Sequence, residues 1–192
     1  MDRIVAATQR LLRRQRFEDI TIAEIVAEAQ TSTGSFYARF GSKDALLPYL
    51  YAAYNAESAA ATEGLLESDA LKADSLREAV ASLIRLVRAG PVKMDQLVRT
   101  MVLYARSHPE RLPESAPARS RRFYDMMGTL FRPHVKASDA ERRVRFASFA
   151  TATLLREHHF FPDAPLATAL GLNEEDFAVE VEKMTSAYLS AR

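Results

Sequence analysis

Hydroxyls, small residues, aromatics and a lysine are gathered between Thr21 and Lys43. That chemistry suits phosphate oxygens and base edges. Thr21 stands three residues before Glu24. This is the spacing of a capping box, where a hydroxyl and a carboxylate satisfy the orphan amides of a helix start. Ile22, Ile25, Val26 and Ala29 follow at helical spacing, so one face of that helix is buried. Gln30 and Thr31 interrupt it, and Ser32 caps a second helix that opens on Thr33, Gly34 and Ser35. Glycine inside a helix costs about 1 kcal/mol against alanine. A helix that keeps Gly34 therefore needs the space a side chain would fill. Phe36 and Phe40, four apart, pack inward. Tyr37 points to another face, where its hydroxyl can reach a phosphate. Ser42 can cap a third helix, and Lys43 in its first turn is a cation where the helix dipole disfavours one. A phosphate beside Lys43 would account for that placement.

Two short helices joined by a tight polar turn form a helix-turn-helix, whose second helix can enter the major groove of DNA. Ile4 through Leu47 resembles the N-terminal DNA-binding domain of the TetR family of bacterial transcriptional regulators. The residues that carry the likeness are Thr21-Ile22-Ala23-Glu24-Ile25, then Ser32-x-Gly34-Ser35-Phe36-Tyr37-x-x-Phe40, then Ser42-Lys43-x-x-Leu46-Leu47. The remainder of the chain agrees with the family only in length and helical character.

The resemblance implies roles at matched positions. Thr21, Ser32, Tyr37 and Lys43 would contact phosphates, Thr33 and Ser35 would face base edges, and Gly34 would allow close approach. Arg39 sits where the family often has a basic residue or histidine near the DNA backbone. The chain departs from the pattern in the turn, with Gln30-Thr31 where the family usually has Gly-Val. A left-handed backbone at a non-glycine residue costs roughly 1–2 kcal/mol. Almost no residues precede helix 1, so minor-groove contacts from an N-terminal tail are not expected.

The same resemblance implies a homodimer. The last two long helices would pair with their copies in a four-helix bundle and present two recognition helices roughly 34–36 Å apart, or a multiple of that, to a palindromic operator. It also implies a small-molecule pocket among the middle helices. Met101, Tyr104, Phe123, Met127 and Phe131 suit an adaptable apolar pocket, and equally an ordinary core. Arg156, His158 and His159 are the polar groups nearby. The implied protein is a one-component repressor of the bacterial cytoplasm, released from DNA by an inducer. A DNA-binding protein of the same fold without an inducer is the alternative.

Composition sets the bounds. Lysine and arginine number 26 against 25 acidic residues in 192, a net charge of +1, so positive potential for DNA has to be local. Arg10, Arg13, Arg14 and Arg16 supply some of it from helix 1. The absence of cysteine excludes disulfides and thiol chemistry. No stretch has the apolar length of a transmembrane helix, and the first residues lack the signal-peptide pattern. None of the four histidines follows a glutamate at Glu-x-x-His spacing. Zinc-protease spacing, a phosphate loop and the nucleotide-binding glycine fingerprint are also missing. The expectation is a binding protein, with no enzymatic activity, no cofactor and no metal.

The elements that must position the motif are all helical. The expected arrangement is a three-helix helix-turn-helix domain over residues 1–47, followed by a larger helical ligand-binding and dimerisation domain over 48–192. Helix 1 is expected over Arg3–Arg14. A fourth helix, from Lys43 to Leu66, joins the domains and is bent by Pro48. Helix 5 follows Asp74-Ser75 and ends at Gly90-Pro91. Helix 6 carries Met94, Leu97, Val98 and Met101, and helix 7 carries Phe123, Met126, Met127 and Leu130. Residues 108–117 and 160–172 read as proline-bearing loops. Ser138 and Glu141 suggest a second capping box. The helix behind them has two apolar faces: Val144, Ala147, Thr151 and Leu155 on one, Phe146, Phe149, Ala150 and Thr153 on the other. Such a helix is buried or shared with a partner. The last helix, from Asn173, carries Phe177, Val181, Met184 and Tyr188.

Overall fold

The computed structural model describes residues 2–66, 72–89, 95–112, 114 and 116–191. The expected Met94 and Gly90-Pro91 features lie outside them. The described residues form an all-α chain: α1 (Asp2–Leu11), α2 (Ile22–Glu28), α3 (Thr33–Phe40), α4 (Leu47–Leu66), α5 (Leu76–Ala89), α6 (Asp95–Ser107), α7 (Ala116–Phe131), α8 (Ala140–Phe160), α9 (Pro165–Leu170) and α10 (Glu174–Ser190). Their contacts gather them into two compact units, Met1–Ala60 with Pro91–Ala116, and Ala61–Gly90 with Pro117–Arg192.

The first unit surrounds one core. α1 gives it Ile4, Val5 and Ala7; α2 gives Ile25 and Val26; α3 gives Phe36 and Phe40. Phe17 and Ile20 enter from the α1–α2 loop, Leu50 and Tyr51 from α4, and Leu97, Met101 and Tyr104 from α6. Thr8 is also buried, and donates its hydroxyl to the Ile4 carbonyl at 2.9 Å, so its polarity is absorbed within the helix. α1 is shorter than the periodicity predicts. It gives way after Leu11 to a turn in which the Arg14 and Gln15 amides both bond the Leu11 carbonyl, which redirects the chain so that Phe17 reaches the core.

The segment after α3 also differs from expectation. Ser42 does cap, accepting the Ala45 amide at 3.3 Å, but what it caps is a single 3₁₀ turn over Asp44–Leu46. α4 starts only at Leu47, which puts Pro48 in its first turn. A proline there lacks an amide that the helix would not use.

The second unit packs α5 (Ala79, Val80, Leu83, Ile84), α7 (Met126, Met127, Leu130, Phe131), α8 (Val144, Ala147, Leu155) and α10 (Ala178, Val181, Leu189) about a separate core. Between α8 and α10 the Thr151 and Thr185 hydroxyls bond each other at 2.7 Å in full burial. Arg122 of α7 grips Glu63 of α4 through two parallel bonds of 2.9 and 2.7 Å, the fork geometry that favours arginine for carboxylates. The Ser138–Glu141 capping box does not form. Asp139 takes the cap position and its carboxylate is drawn to Arg142 and Arg143 at 2.5 and 2.7 Å, while Glu141 pairs with Arg145. The two expected loops hold short structure of their own: a 3₁₀ turn over Pro109–Arg111 ahead of α7, and α9, which ends at Gly171 with φ +69°. α10 begins where Asn173 accepts the Asp176 amide at 2.9 Å, and Glu174, Glu175 and Asp176 complement its dipole.

Met127 has no exposed surface and sits against the α5 and α8 side chains of the second core. Met127→Ala should therefore lower the unfolding free energy by about 2–5 kcal/mol, read by urea denaturation. A loss under 1 kcal/mol would mean that the core collapses around the gap.

Candidate nucleic-acid interface

α2 is held at its start by the capping box that the sequence predicts. The Thr21 hydroxyl accepts the Glu24 amide at 3.2 Å, and Glu24 Oε2 accepts both the Thr21 amide and the Thr21 hydroxyl proton at 2.7 Å. These bonds, the hydroxyl's first, hold the Glu24 carboxyl below the usual glutamate range. Thr21 is exposed, but its hydroxyl proton is directed at a carboxylate.

The end of α2 is closed by a Schellman motif. The Thr31 amide reaches back to the Val26 carbonyl at 2.9 Å, and the Gln30 amide to that of Ala27 at 3.1 Å. This geometry puts Gln30 at φ +51°, the left-handed conformation that glycine adopts freely. Arg3 supplies a compensation. Its guanidinium donates to the Ala29 carbonyl at 2.9 Å and to the Gln30 carbonyl at 2.7 Å. Arg10, one of the arginines expected to lend positive potential, is tied to Glu28 at 2.5 Å. Arg13, Arg14 and Arg16 remain exposed.

α3 starts at Ser32, whose hydroxyl accepts the Ser35 amide at 3.1 Å and pairs with the Ser35 hydroxyl at 2.9 Å. Phe36 and Phe40 turn into the core with ring centroids 5.4 Å apart. Every other residue of the helix is exposed: Thr33, Gly34, Ser35, Tyr37, Ala38 and Arg39. Tyr37 stands edge-on to Phe36 and exposes half its surface. A Cβ placed on Gly34 would meet only the Ser32 hydroxyl oxygen, at 3.9 Å. The protein's own packing therefore does not require glycine there. Gly41, at φ +70°, ends the helix.

Lys43 does other work than the phosphate contact implied by resemblance. Its ammonium donates to the carbonyls of Phe17, Glu18 and Ile20 at 2.8, 3.1 and 2.8 Å. It also lies 4.9 Å from the centroid of the Phe17 ring. Neither this clamp nor that of Arg3 has a local signal, because the partners lie 23 to 27 residues away in sequence.

The residues suggested for a small-molecule pocket divide between the cores. Met101 and Tyr104 are buried in the first; Met127 and Phe131 are buried in the second, with Phe123 packed against it. Burial pushes the Tyr104 phenol above its usual range, and its ring stacks on His108. Arg156 is exposed and bonds the Ala152 carbonyl, and His159 faces Glu174 at 3.2 Å. His158 stacks on Phe177 at 4.1 Å and bonds the Leu172 carbonyl. Among the described residues no three histidines or carboxylates come together as a metal site, and no helix is long and apolar enough to cross a membrane.

A capped helix, a closed three-residue turn and a second helix with one face in a core and the other exposed define a helix-turn-helix DNA-binding domain within an all-helical protein. Residues 4–50 match the family model of bacterial regulatory proteins of the tetR family. The match places the N-terminal domain in that family, whose members regulate transcription by binding DNA. A solved structure of GusR from Salmonella enterica shares the fold, with a TM-score of 0.54 and 19% sequence identity over 98% of this chain and 94% of that one. No curated protein matches the chain.

The left-handed Gln30 is strained in a way that glycine would relieve. Gln30→Gly should raise the unfolding free energy by about 1 kcal/mol, net of the glycine's extra freedom in the unfolded chain. Guanidinium denaturation of parent and variant measures the difference, and a loss of stability would show that the Gln30 side chain contributes more than its backbone costs.

Proposed function

We propose that the chain is a dimeric, one-component transcriptional repressor of the bacterial cytoplasm that binds a two-fold symmetric operator. The first unit carries DNA recognition and the second carries dimerisation. The observation that carries the reading is the outer face of α3. It is exposed, made of small and hydroxyl residues, and it retains a glycine for which the protein's own packing has no use. On this reading Thr33 and Ser35 face base edges, Ser32 and Tyr37 bond phosphates, and Arg39 adds a nearby positive charge. Thr21 joins them when its hydroxyl proton turns from Glu24 to a phosphate.

Dimerisation is supported by the outer faces of α8 and α10. Phe146 and Phe149 are 56% and 55% exposed, and Leu154, Met184 and Tyr188 are exposed beside them. The Phe146 and Tyr188 rings lie 5.3 Å apart, so the two helices form one apolar surface. Apolar patches of this kind mark protein interfaces. Release by a small-molecule inducer belongs to the reading through the family resemblance alone. The close packing of Met101, Tyr104, Met127 and Phe131 inside two cores favours a second reading, in which the chain binds DNA without an inducer.

The deciding experiment is fluorescence anisotropy of the purified chain with DNA from beside its own gene, across a salt series and against scrambled competitor. Tight binding, a large specificity ratio and a steep log–log salt slope are expected. Binding equal to that of scrambled DNA, followed by failure to enrich any sequence from a random pool, would refute the repressor reading. A small molecule that releases the DNA in the same assay decides between the two readings.

Gly34→Ala separates folding from recognition. It should stabilise the free protein by up to about 1 kcal/mol while weakening operator binding, as seen by thermal unfolding and anisotropy together. Parental affinity in the stabilised variant would show that nothing approaches α3 closely.

Phe149→Asp should convert the dimer to a monomer by analytical ultracentrifugation. It should also weaken operator binding by about 100-fold, because the second half-site is then no longer engaged intramolecularly. A variant that remains dimeric would locate the interface elsewhere.

A further inference from the structure

We propose that Lys43 is a positioning residue of the DNA-binding surface, one that locks the α1–α2 loop to the segment following α3 and neutralises no phosphate. The proposal rests on the DNA-binding reading above. Lysine has three ammonium donors, and here three carbonyls receive them: Phe17, Glu18 and Ile20 at 2.8, 3.1 and 2.8 Å. The Phe17 ring lies against the same ammonium, 4.9 Å from its centroid. The side chain is half-buried, so its charge is already surrounded by protein.

The location of the clamp gives it its purpose. Phe17 and Ile20 are anchored in the first core, and the next residue, Thr21, is the cap of α2. Lys43 itself lies two residues past Gly41, where α3 ends. A single side chain thus fastens the entrance of the helix-turn-helix to its exit. Its charge also favours the ionised form of Glu24, the other half of the α2 cap. A phosphate could recruit this ammonium only by breaking its bonds to the loop that sets where α2 begins. Positioning and phosphate neutralisation are therefore competing uses of one group.

The salt dependence of DNA binding tells them apart, because each neutralised phosphate contributes about −0.9 to the log–log slope. In the full-length chain, Lys43→Met keeps the aliphatic stem over Phe17 and removes the donors. A positioning role predicts an affinity lowered at least tenfold at every salt concentration, an unchanged slope, and a lower melting temperature without DNA. A slope shallower by about 0.9 with the parental melting temperature would overturn the proposal and restore the phosphate contact. Lys43→Gln retains an amide donor without charge and is read by the same slope criterion should the methionine variant not fold. A parent chain that binds no DNA at any salt concentration would overturn the DNA-binding reading and the proposal together. A parent that binds while its variants lose slope overturns the proposal alone.

Discussion

Three residues separate α2 from α3, and within that span the carbonyls that end α2 must be satisfied while the chain reverses. The Schellman closure meets both needs, at the expense of a left-handed backbone at Gln30. Arg3 then draws its guanidinium over the Ala29 and Gln30 carbonyls, and Ser32 opens α3 directly afterwards. Once this turn is set, the register of α3 follows. Phe36 and Phe40 must enter the core, and Thr33, Gly34, Ser35, Tyr37 and Arg39 must face outward. The exposed surface of α3 is in this sense the complement of two buried phenylalanines and one closed turn.

How much of this could be read in the sequence depends on the reach of each interaction. The Thr21–Glu24 capping box was legible because both partners sit within one helical turn. The two faces of α8 were legible for a related reason, since periodicity alone separates Val144, Ala147 and Leu155 from Phe146 and Phe149. The clamps of Arg3 and Lys43 were not, because their carbonyl partners are distant in sequence and backbone oxygens carry no residue signature. Periodicity also shows that a residue is buried without showing against what. Met101, Tyr104, Met127 and Phe131 read alike, yet they belong to two different cores. The pair Ser138 and Glu141 had the right spacing and lost the cap to Asp139, whose carboxylate engages two arginines at once. A local motif predicts well until a neighbour offers stronger charge pairing.

Arginine chemistry recurs through the chain and explains how a protein of net charge +1 manages its cations. Arg10 is committed to Glu28, Arg88 to Glu175, and Arg122 to Glu63. These pairs are exposed, so each contributes little to stability. Their effect is on where positive potential remains. Around the helix-turn-helix, Arg13, Arg14, Arg16 and Arg39 stay at the surface.

The first core draws on α6 as well as on the N-terminal helices. Leu97, Met101 and Tyr104 complete the burial begun by Ile4, Ile25, Phe36 and Leu50. During synthesis the helix-turn-helix therefore leaves the ribosome long before its last core partners do. Its packing must wait while α4 and α5 are made. A fragment cut after the motif would leave Leu46 and Leu50 without the neighbours that cover them. The unit that would read DNA is encoded in two separate stretches, so its folding is tied to translation of more than half the chain.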